Sequence, residues 1–260
     1  MGKIMNNIKS DKTIKKYISK FLAIIFWLGV WFVGSKLINN TIVLASPLEV
    51  FTTLITLCQS FAFWLAILHS FSRIVLGLIL GLLAGTVLAV LSYRSFICYE
   101  LISPFMKVVK STPIASFTIL ALMWIQSKNL SVLISFLMVV PIVYTNILQG
   151  IHSADEKLLQ MAKVFGLSAY KKLIAIYIPS VFPHFMSAIS LGLGLCWKAG
   201  IAAEVIGKPT GSIGGELYQA KLYLMTKELF AWTIVIIIIS ILFEKLVISA
   251  IKQAQYRRDN

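Results

Sequence analysis

The feature that most restricts what this chain can become is a series of apolar runs long enough to cross a bilayer. A hydrocarbon core takes about 20 consecutive, predominantly apolar residues in a helix. Six such stretches can be drawn, at about 21–38, 66–92, 112–126, 130–150, 181–206 and 229–250. They give the chain 58% hydrophobic residues, a mean hydropathy of +0.87 and only 13% charged residues; a soluble domain carries roughly 25% charged residues. The predicted fold class is all-α, a polytopic membrane protein with about six transmembrane helices. Residues 1–20 read as a cytosolic basic segment, 21–250 as the transmembrane domain and 251–260 as a cytosolic tail. The first span, "FLAIIFWLGVWFVGSKLI", is long and aromatic and ends in no small-residue cleavage site. It reads as an uncleaved anchor.

Basic residues set the expected orientation. With the N-terminus inside, the cytosolic segments hold 17 lysines and arginines: Lys3 to Lys20, then Arg94, Lys107 and Lys110, then Lys157, Lys163, Lys171 and Lys172, then Lys245, Lys252, Arg257 and Arg258. The outer segments hold five, Lys36, Lys128, Lys208, Lys221 and Lys227. The positive-inside rule therefore puts both termini in the cytosol. The net charge of +14 then acts mainly on the anionic inner leaflet. The charges form no aromatic-interleaved patch, which argues against nucleic-acid binding. Cys58, Cys98 and Cys196 are odd in number and far apart, and His69, His152 and His184 are equally scattered. Neither set has a disulfide or metal-ligand spacing, so no metal and no catalytic residue is expected.

The longest internal loop, about 151–179, holds the segment "QMAKVFGLSAYKKLIAIYIP". Asp155 and Glu156 suit a helix N-terminus, and Leu158, Leu159, Ala162 and Phe165 recur at helical spacing. Gly166 fits a left-handed stop, and Ser168 can cap a second helix that ends before Pro179. The expectation is a helical hairpin at the membrane surface. By its residues alone it is either a docking element with an apolar ridge or an interfacial loop lying on anionic lipid.

The spacing of this loop resembles the EAA coupling motif of permease subunits of ABC importers, in which Glu-Ala-Ala is followed by Gly and then Ile-x-Leu-Pro. Here Gln160, Met161 and Ala162 precede Gly166, and Ile176, Ile178 and Pro179 follow in register, with Gln and Met in place of Glu and Ala. Further stretches resemble the nitrate, taurine and aliphatic-sulfonate permeases of that family: "ASPLEVF" at 45–51, "HSFSRIVLGLILGLLAG" at 69–85, "STPIASFTILALMWI" and "GLGLCWKAGIAAEVIG".

The resemblance implies the transmembrane subunit of an ATP-driven importer in a bacterial plasma (inner) membrane. It implies a separate ABC ATPase dimer, with ATP and magnesium bound there, docked on the hairpin. It also implies an external solute-binding protein and a second permease copy, giving a homodimer. This chain has no Gly-x-x-x-x-Gly-Lys-Ser/Thr, so no nucleotide cofactor is expected on it. The rival class, an ion-gradient-driven secondary transporter or channel, often shows broken helices, inverted repeats or a run of carboxylates at mid-membrane, and none is evident. A membrane enzyme would need clustered His, Asp or Cys.

Arg73, Lys198 and Glu204 are ionisable residues inside predicted spans, which makes them functional candidates. They can form an Arg73–Glu204 bridge, line a pathway that attracts an anion, or snorkel to the surface. Gly77, Gly81 and Gly85 recur every four residues on one face, as close helix packing requires, or as a hinge would. Trp27, Trp31, Trp64, Trp124 and Trp232 are expected as interfacial anchors.

Overall fold

The computed structural model describes residues 2–259, with side chains described for 18–251 and 253. The side chains of Lys3, Lys9, Lys12, Lys15, Lys16, Lys252, Arg257 and Arg258, which enter the charge count above, lie outside the described ones. In chain order the helices are α1 (Gly2–Ile38), α2 (Pro47–Cys58), α3 (Phe61–Arg94), α4 (Phe96–Ser111), α5 (Ile114–Ala121), α6 (Ser127–His152), α7 (Glu156–Val164), α8 (Ala169–Lys172), a π-helical turn (Leu173–Tyr177), α9 (Ile178–Gly207), α10 (Ile213–Leu222) and α11 (Thr226–Asp259). Among the described residues five stretches are long and apolar enough to cross a membrane: Ile18–Ile38, Phe61–Arg94, Ser127–His152, Ala169–Gly207 and Thr226–Ile251. The chain divides into two compact units.

One unit comprises the residues up to Ser60 and Gln219–Ile234. Its core is Ala45, Val50 and Ala231, with Trp31, Leu54 and Phe230 around them. The indole of Trp31 donates to the Ala45 carbonyl at 3.0 Å, and Trp232 is 3% exposed. These two tryptophans are therefore packing residues, not lipid-facing anchors. Helix α2, absent from the sequence reading, is too short to span. A capping box starts it: Glu49 N–H donates to Ser46 Oγ, and Ser46 N–H donates to the Glu49 carboxylate. Lys227 lies 3.0 Å from the same carboxylate. The backbone N–H of Ser46 first, and then Lys227, hold the Glu49 pKa down at about 2.

The other unit comprises Phe61–Tyr218 and the residues from Val235 on. At its centre α6 packs on both α3 and α9, and its apolar face is almost wholly buried. A Cβ added at Gly77 would lie 2.5 Å from the Val132 carbonyl oxygen; at Gly81 and at Gly85 it would lie 2.7 Å from Val139 Cβ and Val143 Cβ. Contact positions thus rise together along both helices, so α3 and α6 run parallel with backbones nearly touching. Against α9 the order reverses: Gly207 meets Leu130, Gly200 meets Ser135, Gly192 meets Val139 and Gly150 meets Val181. Helix α9 is antiparallel to α6.

Parallel α3 and α6 require the chain to cross back between Arg94 and Ser127. The expected span at 112–126 is therefore corrected: the return is made by α4 and α5 in sequence, about 24 and 12 Å long at 1.5 Å per residue. It breaks at Thr112, which is extended (φ −73°, ψ 129°) ahead of Pro113. A residue before proline is driven out of the helical region, and Lys107 and Lys110 on α4 further disguise the crossing. The expected start of the fifth span at 181 also moves, since the helical path runs unbroken from Ala169 to Gly207. Pro179 does not end the preceding helix. The π turn widens the backbone just ahead of it, and Ser180 Oγ donates to the Ile176 carbonyl at 2.9 Å.

Gly77→Ala is expected to cost about 1–3 kcal/mol, because the new methyl group meets rigid backbone. Gly194→Ala, where nothing lies within 4 Å, is the control. The midpoint of thermal unfolding in detergent should fall for the first substitution and hold or rise for the second.

Candidate functional site

The hairpin between α6 and α9 is built by local rules. Asp155 caps α7 by accepting the Lys157 N–H at 2.8 Å. Gly166 ends it in the left-handed region (φ +63°). The Leu167 N–H reaches the Ala162 carbonyl at 2.9 Å, and the Gly166 N–H reaches that of Lys163 at 3.1 Å. This pair of bonds is the Schellman motif. Ser168 then accepts the Lys171 N–H to start α8. Ala162 and Ile176 share a small core with Ala154, flanked by Leu159, Leu167 and Tyr177. Three of the motif positions, Ala162, Gly166 and Ile176, therefore hold the hairpin closed. Ile178 is half-buried at the start of α9, and Pro179 is exposed.

The apolar residues expected to form one ridge separate into two faces. Leu159 and Ala162 point inward, whereas Leu158, Met161, Val164 and Phe165 are exposed, with Val164 at 83% and Phe165 at 74%. Gln160 and Met161, the two departures from the motif, are exposed as well. Lys157, Lys163 and Lys171 of the same hairpin are exposed.

At the far end of α9 the structure brings Arg73 and Glu204 together. Glu204 is fully buried, and Arg73 Nη1 lies 3.8 Å from its Oε1. Arg73 Nη1 makes no hydrogen bond, so its contribution there is charge alone. The hydrogen bonds come from elsewhere. Ser70 Oγ donates at 2.6 Å, the Gly214 N–H at 3.2 Å and Ser131 Oγ at 3.4 Å. Ser70 Oγ in turn accepts the Ile213 N–H at 2.9 Å. A buried carboxylate is costly unless paired and hydrogen-bonded, and here it ties α3, α6 and α9 to the start of α10. Gly214 sits directly on Glu204, leaving no room for a Cβ. The segment after α9 thus folds inward at Ser212 and Ile213, both fully buried.

Lys198 does not join this cluster. It is exposed, on a face of α9 shared with Leu191, Leu195 and Ala202 and turned away from Gly200, which faces Ile74 and Ser135. The helix phase, not the depth along it, decides this exposure. Gly77, Gly81 and Gly85 lie on the α3–α6 contact described above. Ser70, Ser131 and Gly214 were missed in the sequence reading. The Ser70 and Arg73 spacing of i and i+3, inside an apolar run, was the available signal for the first of them. Among the described residues no group of three His, Cys, Asp or Glu could hold a metal.

Parallel and antiparallel spans closed on small residues, with a helical hairpin between two of them, define a multi-pass integral membrane protein. The chain belongs to the family of binding-protein-dependent transport system inner membrane components, which matches residues 74–258. It is a permease subunit of the ABC transport type. It is 25% identical over 223 residues, covering 85% of this chain and 80% of the relative, to a protein of Bacillus subtilis (strain 168) described as an aliphatic sulfonates transport permease. It is 24% identical to the taurine transport system permease of Escherichia coli (strain K12), over 82% of this chain and 80% of that one. It is 22% identical to a nitrate import permease of Leptolyngbya laminosa, over 78% and 74%. Its fold is similar to that in the crystal structure of an amino acid ABC transporter with histidines, with a TM-score of 0.57, 20% identity and coverage of 80% of this chain and 95% of that chain.

Proposed function

We propose that this chain forms half of the pathway for a small oxyanion or sulfonate-bearing solute, delivered by an external binding protein. A second copy of the chain supplies the other half, and a separate ATPase, holding ATP and magnesium, docks on the loop at about 151–179. The observation that carries this reading is the exposed apolar ridge of Leu158, Met161 and Phe165 on a hairpin whose inner face is already filled. A closed hairpin with leftover apolar surface suits the groove of a partner. Met161→Asp with Phe165→Asp leaves the inner core untouched. It is expected to reduce ATPase co-purification at least about tenfold, the equivalent of 1.4 kcal/mol, and to abolish uptake. Gly166→Val should act likewise through the backbone, because a β-branched residue resists positive φ. Normal assembly of both variants would remove the hairpin from the docking role.

The ATPase side is the cytosol in this reading, and six crossings return both termini to it. Support comes from the basic residues Arg94, Lys157, Lys163, Lys171 and Lys172, which cluster at the hairpin end of α3 and α9. Single cysteines at Lys157 and Thr210, both exposed and at opposite ends of the 169–207 helical path, should label from opposite sides in a background lacking native cysteines. Reaction of both with an impermeant reagent from one side would overturn the orientation.

The solute class rests on the names of the relatives together with Lys198. An ammonium on a lipid-facing surface costs about 2.5–3.5 kcal/mol, so the exposed face of Lys198 suits a wet pathway shared with the second copy. Lys198→Met is expected to keep permease abundance and ATPase association while lowering the initial uptake rate of an anionic solute. Full uptake by this variant would take Lys198 out of the pathway.

A further inference from the structure

A cavity of about 850 Å³ opens where α3 and α9 diverge at the hairpin end of the bundle. Near Ile74 and Gly200 the two helices touch. Toward Arg94 they part, and Ile147 and Ile151 of α6 form the floor between them. The α3 wall is Leu82, Leu83, Val87 and Val90 with Thr86, whose hydroxyl donates to the Leu82 carbonyl at 2.7 Å, and the α9 wall includes Val181, Phe182 and Phe185. The rim at one end differs in kind. Arg94 and Lys172 line it, beside Tyr93 and Tyr177, whose hydroxyls lie 3.0 Å apart. Neither cation forms an ion pair among the described residues.

The dimensions select the occupant. From Leu82 to Arg94 is twelve residues of helix, about 18 Å. Half of a hydrocarbon core about 30 Å thick is about 15 Å. The cavity therefore runs the depth of one leaflet, predominantly apolar along its length and cationic only at the membrane surface. A free phosphate would leave the apolar walls uncovered, and an apolar peptide would leave the two cations without a counter-charge. We infer that the cavity between α3 and α9 binds one anionic phospholipid, its headgroup at Arg94 and Lys172 and an acyl chain along Val87 and Phe185. Basic pockets between transmembrane helices recognise lipid headgroups by this combination of charge and depth. The π turn, Tyr177 and Ile178 form part of the wall, so the lipid touches the joint between the hairpin and α9. This inference does not depend on the transported solute or on the ATPase.

The test uses the full-length chain purified in detergent, with phosphatidylglycerol, phosphatidylcholine or inorganic phosphate added, read by native mass spectrometry. One phosphatidylglycerol per chain is expected to be retained, with phosphatidylcholine weaker and phosphate unable to compete. Arg94→Gln should weaken retention roughly fivefold, since each basic residue near the surface contributes about that factor. Val87→Trp, which fills the apolar wall, should abolish it. Thermal stabilisation by phosphatidylglycerol, measured on each variant that still folds, should fall in parallel. Equal retention of both lipids, displacement by phosphate, or retention unchanged in Arg94→Gln and Val87→Trp would each overturn the assignment.

Discussion

At Gly77, Gly81 and Gly85 two membrane helices meet backbone to backbone, and the direction in which they meet dictates the route of the remaining chain. Between helices in lipid there is little hydrophobic drive, so close van der Waals packing carries the association. The three glycines sit four residues apart on one face, which lets α3 lie along α6 for two full turns of contact. Because the two helices are parallel, the chain cannot pass between them by a short loop. The broken pair α4 and α5 follows from that geometry, as does the antiparallel insertion of α9, with Gly200 against Ile74 and Ser135.

The hairpin is stiff for reasons independent of any partner. Its first helix is capped at both ends, its turn is closed by two backbone bonds, and its inner face is filled by Ala162 and Ile176. No loop separates it from the bilayer, since the helical path continues through the π turn into α9. A displacement of the hairpin is therefore passed to α9 without a flexible joint. Along that same helix lie Lys198 on the outward face and Glu204 at the far end, so the hairpin joint, the exposed cation and the buried acid share one rigid element.

Much of this was legible in the sequence, and the limits have physical causes. Hydropathy located the long spans because a bilayer imposes a length. Gly166, Asp155 and Ser168 were readable because capping is local chemistry. The four-residue glycine interval gave the packing face, though not the direction of its partner, which is a tertiary property. The break at Thr112–Pro113 was hidden because two short helices share one crossing, with lysines on the first. Pro179 read as a terminator because the π turn that accommodates it leaves no mark in composition. Lys198 and Glu204 look alike as charges in an apolar run, yet six residues of helix rotation set one outside and the other at full burial. Only the second acquired hydrogen-bond donors, and one of those, the Gly214 N–H, is backbone that no side-chain pattern reveals.

Chain order is also the order of synthesis, and the Glu204 cluster can be followed in that order. Ser70 and Arg73 emerge with α3, and Ser131 emerges with α6, all well before the carboxylate itself. When α9 enters the bilayer, its single buried acid meets a half-built cradle carrying two hydroxyl donors and a positive charge. The last donor, at Gly214, arrives ten residues later and closes the cradle from the membrane surface. The acid thus enters among groups already able to pair with it, and the inward fold of residues 208–216 latches α9 to α3 and α6 before the last span, α11, is made.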